Sequence, residues 1–328
     1  MITAAFLTVT VSGSAPGSKV AWKYSSQVLW PKIAPTCNGR SQSPVNIDTR
    51  KVKYDDNLSL RFTGYDRQIP GSNFSVVNNG HTVVYKLETA NMDGDKIPRL
   101  QGTAFGGEKY KFVQLHFHWN TERHTNGSEH AIDGRRYALE LHLVHINLKY
   151  SDVSDAMGKE GAIVVLGILF QITRKNNSYL TPLIEANSRV QEVGMNDTLF
   201  GSYITLDDLL PNDLDHFFKY SGSLTTPPCS EPVTWIVFRE ISGISEDQMR
   251  SFRSLMSDEV DEGDESKKLP MSDNVRDLQR IRKRDIIASG SQSASQSSAL
   301  AIHAFVPSLP LLLAITASII AIFKVSFV

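Results

Sequence analysis

Lys111-Phe112-Val113-Gln114-Leu115-His116-Phe117-His118-Trp119 alternates with a period of two, which predicts a β-strand. Val113, Leu115, Phe117 and Trp119 take one face, and Gln114, His116 and His118 take the other. Two imidazoles at i and i+2 on one strand face can converge on a single metal ion. An isolated His-x-His is weak evidence by itself, because a polar strand face open to solvent has the same pattern.

A second stretch strengthens the case. Tyr137-Ala138-Leu139-Glu140-Leu141-His142-Leu143-Val144-His145 alternates in the same way, with Glu140, His142 and Val144 on one face and Leu139, Leu141 and Leu143 on the other. Laid beside the first strand, it adds a third imidazole. Three neutral histidines around an open fourth position form a catalytic zinc site, whereas a structural site is closed by a fourth protein ligand. The two cysteines, Cys37 and Cys229, lie far away in sequence, which argues against a thiolate site. Gln114 precedes His116 by two residues and Glu140 precedes His142 by two, so each can accept the other ring N–H of its neighbour and fix the tautomer. An ion pair with an arginine is the competing use for Glu140. His145 falls an odd step after His142, which points it into the core and away from the ligands.

Ser128-Glu129-His130 followed by Glu140-Leu141-His142-Leu143-Val144-His145 resembles the signature of the α-class carbonic anhydrases. Trp22, Tyr24, Gln42-Ser43-Pro44-Val45-Asn46-Ile47, Asn78-Asn79-Gly80-His81, Val165-Leu166-Gly167, Gly222-Ser223-Leu224-Thr225-Thr226-Pro227-Pro228, Val233-Thr234-Trp235-Ile236-Val237 and Asp273-Asn274-Val275-Arg276 extend the similarity over residues 20–287. The resemblance implies one catalytic domain that binds one Zn2+ through His116, His118 and His142. A zinc-bound hydroxide there hydrates CO2 reversibly to bicarbonate and a proton. It also implies that Thr225 accepts the hydroxide proton and donates its own to Glu129, and that Thr226 offers a hydroxyl to bicarbonate. Val144, Val165, Leu224, Val233 and Trp235 form an apolar CO2 wall. His81 shuttles protons to solvent, with Tyr24 and Asn79 ordering the connecting waters, and Asn274 joins Gln114 and Glu140 in supporting the ligands. An unperturbed histidine titrates near neutrality, which suits a shuttle. Val84 departs from the pattern, since many fast members carry a polar residue there.

From pattern alone the fold class is α+β and mostly β; the resemblance implies a twisted, mainly antiparallel sheet of about ten strands with peripheral helices. Short strands are expected at Leu58 to Phe62, Phe74 to Val77 and Thr82 to Leu87, and buried strands at Ala162 to Phe170 and Thr234 to Phe238. Helices are expected at Leu180 to Val190 and Ser245 to Met256, the latter opened by a Ser245/Gln248 capping box. The acidic run Asp258 to Asp264 is expected to be a solvated loop.

The net charge of −1 carries no nucleic-acid footprint. Ile2 to Val11 is apolar and precedes small residues that suit signal cleavage after Ala15, although the missing basic start suggests truncation. Sequons at Asn57, Asn73, Asn126, Asn176 and Asn196 favour a glycosylated, exported product. In that setting Cys37 and Cys229 are either one disulfide or two buried thiols; the resemblance to extracellular family members implies the disulfide. Residues 288–298 read as a Ser-rich spacer, and residues 299–328 as an apolar tail long enough to span a bilayer. Spacer and tail together match a glycosylphosphatidylinositol signal, with attachment near Ser289, Gly290 or Ser291 on the extracellular face of the plasma membrane; a terminal transmembrane helix is the alternative. Bicarbonate or proton transporters remain open as partners, which no residue specifies. Two rival functions have less support. A binding or adhesion module related to carbonic anhydrases but weak in catalysis would lack a zinc histidine. A general zinc hydrolase would use a carboxylate ligand or an H-E-x-x-H helix.

Overall fold

The computed structural model describes residues 22–291 except 70–72, 90, 91, 93, 121–126, 202, 203 and 262, and in it the two histidine stretches are neighbouring antiparallel strands, Tyr110–Trp119 and Leu139–Asn147. They lie in the middle of a 13-stranded sheet. From one edge its main path runs through Asn196–Phe200, Asn73–Asn78, Val83–Glu88, the two histidine strands, Ile163–Thr173, Val233–Phe238, Phe217–Gly222, Ile287–Ser289 and Lys53–Asp55. Most pairings are antiparallel. Ile163–Thr173 pairs in parallel with Val233–Phe238, and Ile287–Ser289 pairs in parallel with Lys53–Asp55.

The alternation of the histidine strands separates two cores. Leu115, Phe117, Trp119, Leu139, Leu141 and Leu143 pack on one face, beneath Leu183, Met249 and Phe252 from the two larger helices. Val144, Val165, Val233 and Trp235 pack on the other. One residue breaks the expected pattern. The register shifts between Phe112 and Gln114, so Phe112 joins the first core and Val113 packs against the second. A bulge inserts one unpaired residue and reverses the facing of those before it.

The helices are shorter than the sequence suggests. A 3-10 turn, Ser178–Leu180, leads into Thr181–Asn187, and the last helix among the described residues spans Glu246–Arg253. Its capping box is present in full, with the Gln248 N–H donating to Ser245 Oγ at 3.1 Å and the Ser245 N–H to Gln248 Oε1 at 3.2 Å.

Two readings of exposed chain need correction. The acidic run is not a loop, because Met256–Asp261 and Asp264–Pro270 form a hairpin. It needs no apolar period, because backbone bonds from Met256 N–H to Gln191 O and from Asp258 N–H to Gly80 O fasten it to the domain. Nor does the spacer begin at Ala288. Ala288 and Ser289 are buried in a strand, and Ser289 Oγ accepts from Phe217 N–H at 2.8 Å and donates to Asp215 O at 2.6 Å. Small side chains fit between neighbouring strands, so low apolar content did not keep them out of the sheet. Of the three attachment candidates, only Gly290 and Ser291 lie beyond that strand.

Cys37 and Cys229 form a disulfide that closes 192 residues of chain and packs with Tyr24 and Trp30. Asn57, Asn73, Asn176 and Asn196 are exposed, and Asn126 lies outside the described residues, as do the leader and the apolar tail. Among the described residues, no helix is long and apolar enough to cross a membrane.

Candidate active site

The strand register sets His116 directly opposite His142 and His118 opposite Glu140. The three imidazoles therefore face one point, and their ring centroids lie 4.6–5.1 Å apart. Each ring is held at one nitrogen. His116 Nδ1 donates to Gln114 Oε1 at 3.1 Å, His118 Nδ1 to the Asn274 carbonyl at 2.7 Å, and His142 Nε2 to Glu140 Oε1 at 2.7 Å. These partners assign the tautomers and leave the lone pairs of His116 Nε2, His118 Nε2 and His142 Nδ1 free.

The fit to a metal rests on those nitrogens. His118 Nε2 is buried without a hydrogen-bond partner. Two nitrogens on a tetrahedral zinc with bonds of 2.0–2.1 Å stand about 3.3 Å apart, and His142 Nδ1 and His116 Nε2 are separated by 3.3 Å. Burial holds His116 and His118 below the ordinary histidine range, helped at His116 by its imidazole neighbours. Both are thus kept in the neutral form that ligation requires.

Glu140 is wholly buried, which by itself would push its carboxyl up; the facing His130 and His142 rings and their hydrogen bonds hold it well below the usual range. The sequence reading gave His130 no role, yet it completes this support. His130 donates Nδ1–H to Glu140 Oε1 at 2.6 Å and its backbone N–H to Oε2 at 2.7 Å. Its Nε2 accepts from the Tyr220 hydroxyl at 2.6 Å, and that oxygen meets Ser43 Oγ at 2.7 Å. The cluster of His130, Glu140 and His142 is therefore a matched chain of donors and acceptors and not a second metal site. The available signal was its place in Ser128-Glu129-His130, the triplet that opens the motif resembling the family signature.

Asn274 does more than hold His118. Its Oδ1 accepts the Trp119 N–H at 2.7 Å, and its Nδ2 donates to the His81 carbonyl at 3.0 Å. Val144, Val165, Val233 and Trp235 are buried in one apolar cluster with Leu224 packed against it, and the Trp235 ring stands 4.8 Å from the His142 ring. Val84 pairs with His116 across the sheet.

One expected contact is absent. Thr225 is buried and Thr226 half-buried, but Thr225 does not reach Glu129. Glu129 Oε1 accepts the Arg276 N–H at 3.0 Å, and Oε2, without a hydrogen-bond partner, points at the ligands, 3.5 Å from His118 Nε2.

His81 sits on the expected turn, where Asn79 Oδ1 accepts the N–H groups of His81 and Thr82. Asn79 is thus committed to the turn, and Tyr24 is buried. The ring of His81 stacks on Trp22 at 3.8 Å. Burial lowers its pKa, and Asp258 and Glu259 oppose that shift.

Fold and site together define a class: a mostly β protein with three imidazoles, two buried and one half-buried, gathered where one metal ion could be held. The profile of eukaryotic-type carbonic anhydrases matches residues 25–290. Human (Homo sapiens) carbonic anhydrase 6 is 34% identical over 244 residues, covering 72% of this chain and 75% of that protein. Rabbit (Oryctolagus cuniculus) carbonic anhydrase 4 is 37% identical over 289 residues, covering 85% and 87%. Mouse (Mus musculus) carbonic anhydrase 15 is 32% identical over 260 residues, covering 76% and 78%. The chain belongs to the eukaryotic-type carbonic anhydrase family.

Because Glu140 orients His142, Glu140→Gln will weaken divalent-metal binding by about tenfold or more. Chelator competition on the folded variant measures this; unchanged affinity would count against the orienting role.

Proposed function

We propose that this chain hydrates CO2 reversibly to bicarbonate and a proton at a zinc ion held by His116, His118 and His142. The observation that carries the reading is the set of three tautomer-fixed imidazoles, two buried and one half-buried, whose free lone pairs converge. Both cysteines are committed to the disulfide, so no thiolate is left to close the fourth position. Bound there, zinc supplies a Lewis acid that makes water ionise near neutrality, which is the general property of carbonic anhydrases rather than a value derived from this geometry.

The chain's own residues do the rest. Gln114, Glu140 and Asn274 hold the ligand rings in one tautomer. Val144, Val165, Leu224, Val233 and Trp235 offer CO2 an apolar wall and keep bulk water from competing. Thr225 would orient the attacking oxygen by turning its hydroxyl to Glu129 Oε2, which has no hydrogen-bond partner while the Arg276 N–H fixes Oε1; the two side chains are not hydrogen-bonded in this structure. Thr226 offers a hydroxyl to bicarbonate. His81 carries the released proton outward, with Tyr24 and Asn79 bordering its path. The complete histidine set favours this reading over a catalytically weak binding module.

Stopped-flow CO2 hydration by the purified protein will be fast and will be lost on chelation of zinc. His81→Ala will lower turnover about tenfold or more in weak buffer, and imidazole will restore part of it. Activity that survives chelation would refute the zinc reading, and an H81A variant as fast as wild type would refute the shuttle.

We further infer an exported, glycosylated protein held at the outer cell surface by a glycosylphosphatidylinositol anchor near Gly290 or Ser291. Exposure of the four described sequon asparagines supports export, and the spacer followed by an apolar tail supports the anchor. A phosphatidylinositol-specific phospholipase will release the enzyme from cells; retention would favour a transmembrane tail.

A further inference from the structure

The acidic hairpin is fastened beside His81. Asp258 N–H donates to the Gly80 carbonyl at 3.3 Å, and Asn78 Nδ2 donates to the Met256 carbonyl at 3.0 Å. The approach is close enough to demand glycine: a side-chain carbon at Gly80 would stand 2.8 Å from Asp258 Cβ, and its φ is +88°. The next acid, Glu259, binds the segment that carries Trp22, accepting from Ser25 Oγ at 2.8 Å. The ring of His81 is therefore gripped by Trp22 at 3.8 Å and by the Asp258 carboxylate, whose Oδ2 is 3.6 Å from His81 Nε2. Beside them runs a small cavity lined by Tyr24, His81, Ser257, Glu259 and Asn274.

We propose that Asp258 is a positioning residue for His81, holding the ring against Trp22 and balancing the charge it bears while a proton is in transit. This rests on the reading of His81 as the shuttle. A neutral imidazole that accepts a proton in a half-buried place becomes a cation short of water. A carboxylate within 4 Å stabilises that cation, and the proton then leaves Nε2 for a buffer base. The charged and titratable groups facing the ring are Asp258 and Glu259 from the hairpin and Tyr24 from the N-terminal segment, 6.3 Å away; Lys23 acts on Asp258. Burial pushes His81 down and Asp258 up, and the charge of each works against the other's shift.

The test compares wild type, Asp258→Asn and His81→Ala as zinc-loaded enzymes. In D258N the NMR titration midpoint of His81 will fall by about one pH unit. Turnover in weak buffer will fall about threefold, while kcat/KM for CO2 holds and added imidazole closes the gap. An unmoved His81 midpoint, or a loss of kcat/KM equal to that of kcat, would overturn the assignment. Should H81A show its buffer-dependent loss while D258N tracks wild type, the Asp258 proposal alone fails. Should H81A show no loss, the shuttle reading itself has failed.

Discussion

The cross-strand pairing of His116 with His142 is the constraint on which the site depends. It places two imidazoles opposite each other, and strand periodicity then brings His118 to the same face. A slip of one residue would turn all the imidazoles on one strand into the leucine-rich core. Such a slip is opposed by that core: Leu115, Phe117, Trp119, Leu139, Leu141 and Leu143 are fully buried on the opposite face. The apolar residues that make the sheet stable thereby also aim the ligands.

Burying this much polarity requires that nearly every atom be matched. Glu140 sits in a place where a lone carboxylate would be prohibitive, and it accepts from His142 and twice from His130. The chain continues through Tyr220 to Ser43, so strands distant in sequence share one network. Two buried atoms near the ligands stand outside that matching, His118 Nε2 and Glu129 Oε2. Unmatched buried atoms are costly in a fold and are retained where chemistry uses them.

The central strands were legible because period-two alternation in Lys111 to Trp119 and Tyr137 to His145 reports strand and facing together. The same alternation identified Gln114 and Glu140 as partners of the rings. Other features carried no such signal. The bulge at Val113 depends on pairing with a strand some thirty residues later. The first strand of the hairpin from Met256 is mostly half-buried and is held by backbone bonds and polar contacts, so its acids follow no apolar rhythm. Ser289 is buried through its hydroxyl bonds rather than through hydrophobicity, and composition could not reveal that. The motif carrying Glu129 was recognisable, but the direction of its free oxygen is a tertiary fact, as is the place of Asp258 beside His81.

The central claim is that three imidazoles hold one metal ion and leave its fourth corner to a small molecule. X-ray absorption at the zinc edge of the purified, loaded protein measures this directly. The account predicts three imidazole nitrogens at about 2.0–2.1 Å and one further light scatterer from solvent. A sulfur scatterer, a fourth imidazole, or no stoichiometric zinc at all would contradict it.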